Sequence, residues 1–438
     1  MPFRPVRMPD KKSSKRRPLP RAAGSVRHFF GKLGPGVITG AADDDPSGIA
    51  TYSVAGASFG FSLLWTALVS FPLMAGVQLM CARLGMVSGL GLAAVIRRRY
   101  PRSVLWFACT LLVVANTVNI GADLGGMSEV MEMITGVRAF VWLPLFAGLI
   151  VALLVWSSYR IIAKVFKWLT LALLAYIIST FLAHPRWGQV LKATFVPRIE
   201  WSAGYLATFL GVLGTTISPY LFFWQAAQEV EEERASGKKT AASRRGATAQ
   251  DLRAVRTDVV TGMAYSNIVM YFIILTAGAT LYASGQRDIG TARQAAEALR
   301  PLAGDAAYLL FAVGLLGIGM LGIPVLAGSA AYAVAEAMHW RGSLEDRPPL
   351  SRKFYGVLAA AMLIGLGLNY ARVSAVHMLF WAAVLNGALS APLIVLVTLL
   401  TSDKTIMGDH VSSPLLRWLG WATAFAMGAA TIAMLVAL

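Results

Sequence analysis

Charge is what this sequence has least of. Of its 438 residues, 14% are Asp, Glu, Lys or Arg and 57% are hydrophobic, with a mean hydropathy of +0.62. A soluble domain carries about a quarter charged residues, so an ordinary water-soluble fold is excluded. Cysteine is almost absent. Cys81 and Cys109 lie in or beside apolar segments, which excludes a disulfide framework and a thiolate metal site and leaves small apolar packing residues. The five histidines are scattered, with no H-x-x-x-H pair, so a zinc-hydrolase site is not supported. No G-x-x-x-x-G-K-[ST] occurs, which argues against ATP-driven pumping. With no nucleophile–base set either, the chain does not read as an enzyme. The first 32 residues are basic and polar and have no apolar core, so no cleavable signal is expected.

What is present is long apolar runs. Blocks of about 20 residues suffice to cross a hydrocarbon core of ~30 Å as helix. The expected fold class is an all-α integral membrane protein with eleven transmembrane helices, at 35–58, 61–82, 104–134, 141–157, 161–182, 203–230, 258–282, 307–338, 354–371, 376–400 and 416–438. The net charge of +17 then finds its explanation in topology. Thirty-one of the 39 Lys and Arg residues fall on the N-terminal side of the membrane and 8 on the other. The positive-inside rule places the N-terminus in the cytoplasm, and an odd number of spans places the C-terminus outside. The basic charge is therefore lipid-facing rather than a nucleic-acid surface.

The expected organisation is a disordered basic tail (1–32), a first five-helix repeat (33–182), an external connection (183–202), a second five-helix repeat (203–400) with a partly helical cytoplasmic linker (234–256), and an eleventh helix with its preceding loop (401–438). In "GLLGIGMLGIP", 314–324, Gly314, Gly317, Gly319 and Gly322 predict close helix packing.

Two of the segments are interrupted. The first carries Asp43, Asp44, Asp45, Pro46, Ser47 and Gly48 where a membrane helix should be most apolar; the sixth is broken at "GTTISPYLFF", 214–223. Pro46 and Pro219 each lack an N–H and clash with the preceding turn. The carbonyls they free need protein, water or an ion as partner. Paired breaks opening each five-helix half are the layout of an inverted-repeat transporter, with the substrate site between them. An ionised Asp at the bilayer centre costs at least ~2.5–3.5 kcal/mol, a cost offset by a watery cavity and a cation. Asp45, directly before the proline, with free carbonyls beside it, suits a hard divalent ion; its alternative role is capping the second half-helix. Asp43 and Asp44 either line the approach path or are held by hydrogen bonds.

At these residues the sequence resembles the NRAMP divalent-metal transporters, closest to their NRAMP-related magnesium-transporter branch. "GPGVITGAADDDPSGIATYSVAGASFGFSLLW" is similar to the family's first helix, whose D-P-G-N signature here reads Asp45, Pro46, Ser47, Gly48. "GTTISPYLFFWQA" is similar to the sixth, whose M-P-H here reads Ser218, Pro219, Tyr220. The resemblance covers about 35–400 and implies a LeuT-type 5+5 inverted repeat with helices one and six unwound. It implies that Asp45 binds metal, that Gly48 stands at a ligand asparagine, Thr215 at a ligand carbonyl, Ser218 at a ligand methionine, and Asn386 at a polar ligand on the tenth helix.

The departures set the expected selectivity. A thioether favours softer metals; Ser218 removes that preference and Gly48 leaves space. A roomy, oxygen-only site admits an ion that keeps its waters, as Mg²⁺ does; Mn²⁺ also fits. Tyr220 replaces a histidine tied to proton movement, and with an ordinary pKa of ~10 it is a poor proton carrier at neutral pH. In "GADLGGMSE", Asp123 is kept, Gly126 stands at the family's glutamate, and Glu129 lies three residues on as a possible substitute. "QEVEEE", 228–233, reads as a solvated acidic helix end or a cation-gathering vestibule, and Glu336 and His339 as interfacial.

The resulting expectation is a multi-pass inner-membrane secondary transporter importing Mg²⁺, and also Mn²⁺, by alternating access without obligatory proton coupling. The ion is substrate; no cofactor, nucleic acid or obligate protein partner is expected, and the lipid bilayer is the surrounding partner. The alternatives are a proton-coupled Mn²⁺/Fe²⁺ symporter, which the missing Met, Asn, His and Glu disfavour, and an amino-acid transporter of the same architecture, whose substrate carboxylate three aspartates would repel.

Overall fold

The computed structural model of the chain describes residues 34–157, 172–238, 240–346, 348–371 and 374–438. The expected basic tail, and the first half of the fifth apolar segment, lie outside the described residues. Within them the fold is all helix, and fifteen helices have eight residues or more. In chain order these are α1 (Pro35–Asp43), α2 (Pro46–Phe59), α3 (Thr66–Ser88), α4 (Leu92–Arg99), α5 (Arg102–Thr135), α6 (Ala139–Trp156), α7 (Leu174–Leu182), α8 (Trp187–Phe195), α9 (Ala203–Thr216), α10 (Pro219–Ala235), α11 (Ala249–Ala277), α12 (Ala307–Ala337), α13 (Arg352–Leu368), α14 (Ala375–Ser402) and α15 (Pro414–Ala437). Eight stretches among the described residues are long and apolar enough to cross a membrane. The first apolar segment is not among them because it is broken into α1 and α2, and α13, at 17 residues, is much shorter than α12 and α14 with 31 and 28.

The breaks fall at the prolines. α1 ends at Asp43 and α2 begins at Pro46, leaving Asp44 and Asp45 between them. α9 ends at Thr216 and α10 begins at Pro219, leaving Ile217 and Ser218. In each pair the second helix starts on proline, whose missing N–H is one of the unpaired donors of a helix start in any case.

Two seams of bare backbone bring these half-helices to their neighbours. At Gly214 a Cβ would collide with the Ala383 carbonyl and the Gly387 backbone, so α9 and α14 touch main chain to main chain. At Gly40 and Gly262 a Cβ would strike backbone of the opposite helix, so α1 lies directly on α11. The α1–α11 seam is reinforced at both ends. Asp258 accepts from the Gly34 and Gly36 N–H groups at 2.9 and 2.6 Å, supplying the cap that the N-terminus of α1 otherwise lacks. Ser266 donates towards Asp43 at 2.5 Å. Asp258, Gly262 and Ser266 are four residues apart and share one face of α11.

The α5–α12 contact explains part of the glycine run. At Gly319 a Cβ would overlap the Met127 side chain, and at Gly322 it would stand 3.4 Å from the Asp45 Cβ. Small residues on α12 therefore admit both α5 and the α1–α2 break.

Some expectations are corrected at the helix ends. The acidic run at 228–233 is not a solvated end: Glu229, Glu231 and Glu233 are buried. Glu231 pairs with Arg234 at 2.7 Å and Glu233 with Lys238 at 2.9 Å, so the run folds its own cations back over itself. The 234–256 linker is shorter than expected, since α10 continues to Ala235 and α11 begins at Ala249. The 183–202 connection contains α8. Glu336 accepts from the Ala94 N–H at 3.1 Å and caps α4. Glu129 accepts from the Ala292 N–H at 2.8 Å, a capping duty remote from a proton relay.

Candidate metal site

Asp45 is the N-cap of α2. One carboxylate oxygen, Oδ1, accepts from the Ser47 hydroxyl at 2.6 Å and from the Gly48 N–H at 2.8 Å. Capping and ion binding are therefore not rival roles: Oδ1 is used by the helix and Oδ2 is left for something else. The group nearest to Oδ2 is the Tyr220 hydroxyl at 3.4 Å, a weak contact. That hydroxyl donates to the Ala42 carbonyl at 3.0 Å. Tyr220 thus bridges from α10 to a carbonyl freed by the first break, which the sequence reading did not anticipate.

The second break supplies further oxygen. The Ser218 hydroxyl lies against the Gly214 and Thr215 carbonyls at 2.8 and 2.7 Å, and its one proton serves one of them at a time. The Thr215 hydroxyl donates to Tyr52 Oη at 2.8 Å, or to the Val212 carbonyl at 3.0 Å. Tyr52 also closes the space at Gly48, where a Cβ would come within 3.3 Å of its ring. Tyr52 is thus the side chain that joins Gly48 and Thr215 across the two breaks. Sequence inspection missed it because a tyrosine in an apolar helix reads as ordinary packing.

Asn386, on α14 next to the Gly387 seam, is buried, and neither its Oδ1 nor its Nδ2 has a hydrogen-bond partner. An amide left this way costs about 1–3 kcal/mol for each unsatisfied group, so Asn386 is a polar group that packing alone does not explain. Asp123 on α5 is also fully buried with both oxygens unpartnered. Asp43 and Asp44 share the Ser266 hydroxyl, at 2.5 and 3.1 Å. One O–H cannot satisfy both, and Asp43 Oδ1 and Asp44 Oδ2 remain unpartnered.

Beneath the break a buried polar chain runs from α1 to α10. The Thr39 hydroxyl reaches Gln225 Oε1 at 2.7 Å, and Gln225 Nε2 donates to Glu229 Oε1 at 2.8 Å. This chain and Ser266 were invisible in sequence because their partners lie far away along the chain. Asp43, Asp44, Asp45, Thr215, Ser218, Tyr220 and Asn386 are all 2% exposed or less; the region is occluded from both sides. Among the described residues no three His, Cys, Asp or Glu side chains converge as a metal cage. The chemistry offered is oxygen: the Asp45 Oδ2 beside the Tyr220 hydroxyl at the first break, the Ser218 hydroxyl with the Gly214 and Thr215 carbonyls at the second, and unpartnered carboxylate and amide groups on Asp43, Asp44, Asp123 and Asn386.

Two interrupted helices enclosing buried polar groups in an apolar helical bundle define a membrane transporter. Solved transporters share the fold. A manganese transporter from Eremococcus coleocola, in complex with an aromatic bis-isothiourea compound, superposes with a TM-score of 0.71 at 19% identity, over 94% of this chain and 88% of that one. The nucleobase-cation-symport-1 family transporter Mhp1, closed with bromovinylhydantoin bound, gives a TM-score of 0.58 at 14% identity, over 92% and 90%. The divalent metal cation transporter MntH of Deinococcus radiodurans is 29% identical over 408 residues, 91% of this chain and 88% of that protein. Residues 36–437 match the sequence profile described as natural resistance-associated macrophage protein-like, and the chain belongs to this Nramp family. Its members are transporters, not enzymes.

Proposed function

We propose that this protein is a secondary transporter that imports divalent cations, Mg²⁺ and also Mn²⁺, by alternating access and without obligatory proton coupling. The observation that carries the reading is the donor set between the breaks. Asp45 Oδ2 has only a 3.4 Å contact, to the Tyr220 hydroxyl, the second break offers the Ser218 hydroxyl and the Thr215 carbonyl, and Asn386 has an unpartnered amide. Such a set favours a hard cation. On this reading Asp45 supplies the charge at the break, the Tyr52 ring rather than retained water fills the space beside Gly48, Thr215 contributes its carbonyl, and Ser218 and Asn386 offer neutral oxygen. Asp43, Asp44, Tyr220 and Asp123 line the path.

The same reading takes the apolar segments as eleven crossings in a LeuT-type 5+5 repeat, with a cytoplasmic N-terminus and an external C-terminus. Two positive charges moving down 100 mV, inside negative, release ~4.6 kcal/mol, so the ion needs no proton for energy. Uptake into proteoliposomes, with Mg²⁺, Mn²⁺ and Ca²⁺ in competition and a pH dye inside, tests it. Mg²⁺ uptake without acidification is expected; no divalent uptake at all would overturn it. A second reading, proton-coupled Mn²⁺ symport, is favoured by the unpartnered Asp123 and by the relatives named for manganese and divalent metal cations. Acidification in fixed ratio to Mn²⁺ uptake would select it.

A further inference from the structure

Away from the breaks, a cavity of about 660 Å³ opens between α4, the start of α5 and the end of α12. Arg97, Arg98 and Arg102 line it, with Trp106, Met338 and His339. Among the described residues none of the three arginines has an ion-pair partner. The contrast with Arg99 is direct: that neighbour in the same run is held by Asp403 at 2.6 Å. Arg97 is half-buried, and its Nη1 is shut off from solvent with no hydrogen-bond partner. The nearest carboxylate, Glu336, does act on Arg97, but its Oε2 is committed to the Ala94 N–H. α5 begins beside the cavity at Arg102 without a side-chain cap, so its free N–H groups and helix dipole add to the positive field.

The remaining walls are apolar. Trp106 is 42% exposed and Met338 43%. Trp106 stands one turn into an apolar span, at the level where aromatic residues mark the membrane–water boundary. A cavity with cationic groups on one side and exposed apolar side chains on the other matches an amphiphile with an anionic head.

We propose that this cavity is a binding site for the phosphate headgroup of an anionic membrane lipid. Arg97, Arg98 and Arg102 hold the phosphate oxygens, and Trp106 and Met338 rest against the acyl chains. Each arginine near a lipid phosphate is worth about fivefold in affinity. The site is independent of the ion pathway and stands whether or not the transport reading does.

The test is native mass spectrometry of the purified full chain titrated with phosphatidylglycerol or phosphatidylcholine of matched acyl chains. Phosphatidylglycerol is expected to half-saturate at a concentration at least tenfold lower. In R97Q/R98Q/R102Q its half-saturation is expected to rise by about fivefold for each arginine removed. Arg98→Gln alone, at an exposed position where folding is not at stake, should show about one fivefold step. Arg186→Gln, in the separate basic cavity formed with His184, Lys192 and Arg198, should bind like wild type. Unchanged phosphatidylglycerol binding in either cavity variant overturns the proposal, as does an equal loss in Arg186→Gln. Full displacement of the lipid by inorganic phosphate at equal concentration also overturns it, since the acyl chains would then contribute nothing.

Discussion

The Tyr220 hydroxyl donates to the Ala42 carbonyl at 3.0 Å and stands 3.4 Å from Asp45 Oδ2, so one side chain of α10 ties together the two ends of the gap between α1 and α2. Tyr220→Phe removes that tie and little else. The variant is expected to fold and to keep measurable uptake, with a raised KM for the ion, because the Ala42 carbonyl loses its donor and the gap loosens. Its pH profile between ~6 and ~8 should match wild type, since a phenol with an ordinary pKa of ~10 carries no proton in that range. A pH profile displaced by the substitution would show that Tyr220 does take part in proton movement.

Asp45 performs two tasks with two oxygens, and two substitutions separate them. Asparagine is as good an N-cap as aspartate, so Asp45→Asn should keep the thermal stability of wild type and lose divalent uptake. Asp45→Ala should lose uptake and, in addition, about 1 kcal/mol from the missing cap. Paired measurements of Tm and vesicle uptake decide the matter. Uptake by Asp45→Asn at the wild-type rate would remove Asp45 from the ion site.

Ser218→Met introduces a thioether where the hydroxyl now lies against the Gly214 and Thr215 carbonyls. A soft ligand in a filled site should move preference from Mg²⁺ towards Mn²⁺ and Cd²⁺. Competition uptake reads the ranking. An identical order of ions in the two proteins would mean that position 218 does not face the cargo.

Asp258→Asn and Asp258→Ala probe the anchor of α1. The alanine variant leaves both the Gly34 and Gly36 N–H groups without their acceptors, at a cost of about 1–3 kcal/mol, whereas asparagine keeps an acceptor for one of the two. A lower Tm for alanine than for asparagine is expected. Equal Tm values in the two variants would show that water replaces the carboxylate at no cost.

The two breaks were legible in the sequence because each is a local contradiction. Proline and carboxylates inside an apolar run have few physical explanations, and the half-helices do part at Pro46 and Pro219. Most described helices fall on the apolar segments within a few residues for the same reason, although α11 begins nine residues earlier and α3 is displaced by five to six. What stayed hidden depends on distance along the chain. Ser266 reaches back 223 residues to Asp43 and Tyr52 meets Thr215 across 163, and no periodicity announces either. The acidic end of α10 was misjudged for another reason. Its cations, Arg234 and Lys238, were in plain view three and five residues on, but charge at a helix end is usually solvated, and only the packing around it shows otherwise.

The one-sided row of Asp258, Gly262 and Ser266 has a mechanical consequence. Eight residues of α11 span ~12 Å and the nine residues of α1 ~13 Å, so the short helix is strapped along its whole length to α11. It cannot swing alone like a flap. If α1 moves during a transport cycle, α11 must travel with it, and the contact that gives way is at Thr39 and Gln225, where one hydroxyl and one amide hold α1 to α10. Spin labels placed on α1 and α11 should therefore keep a constant separation with and without cargo, while a pair on α1 and α10 should report the stroke.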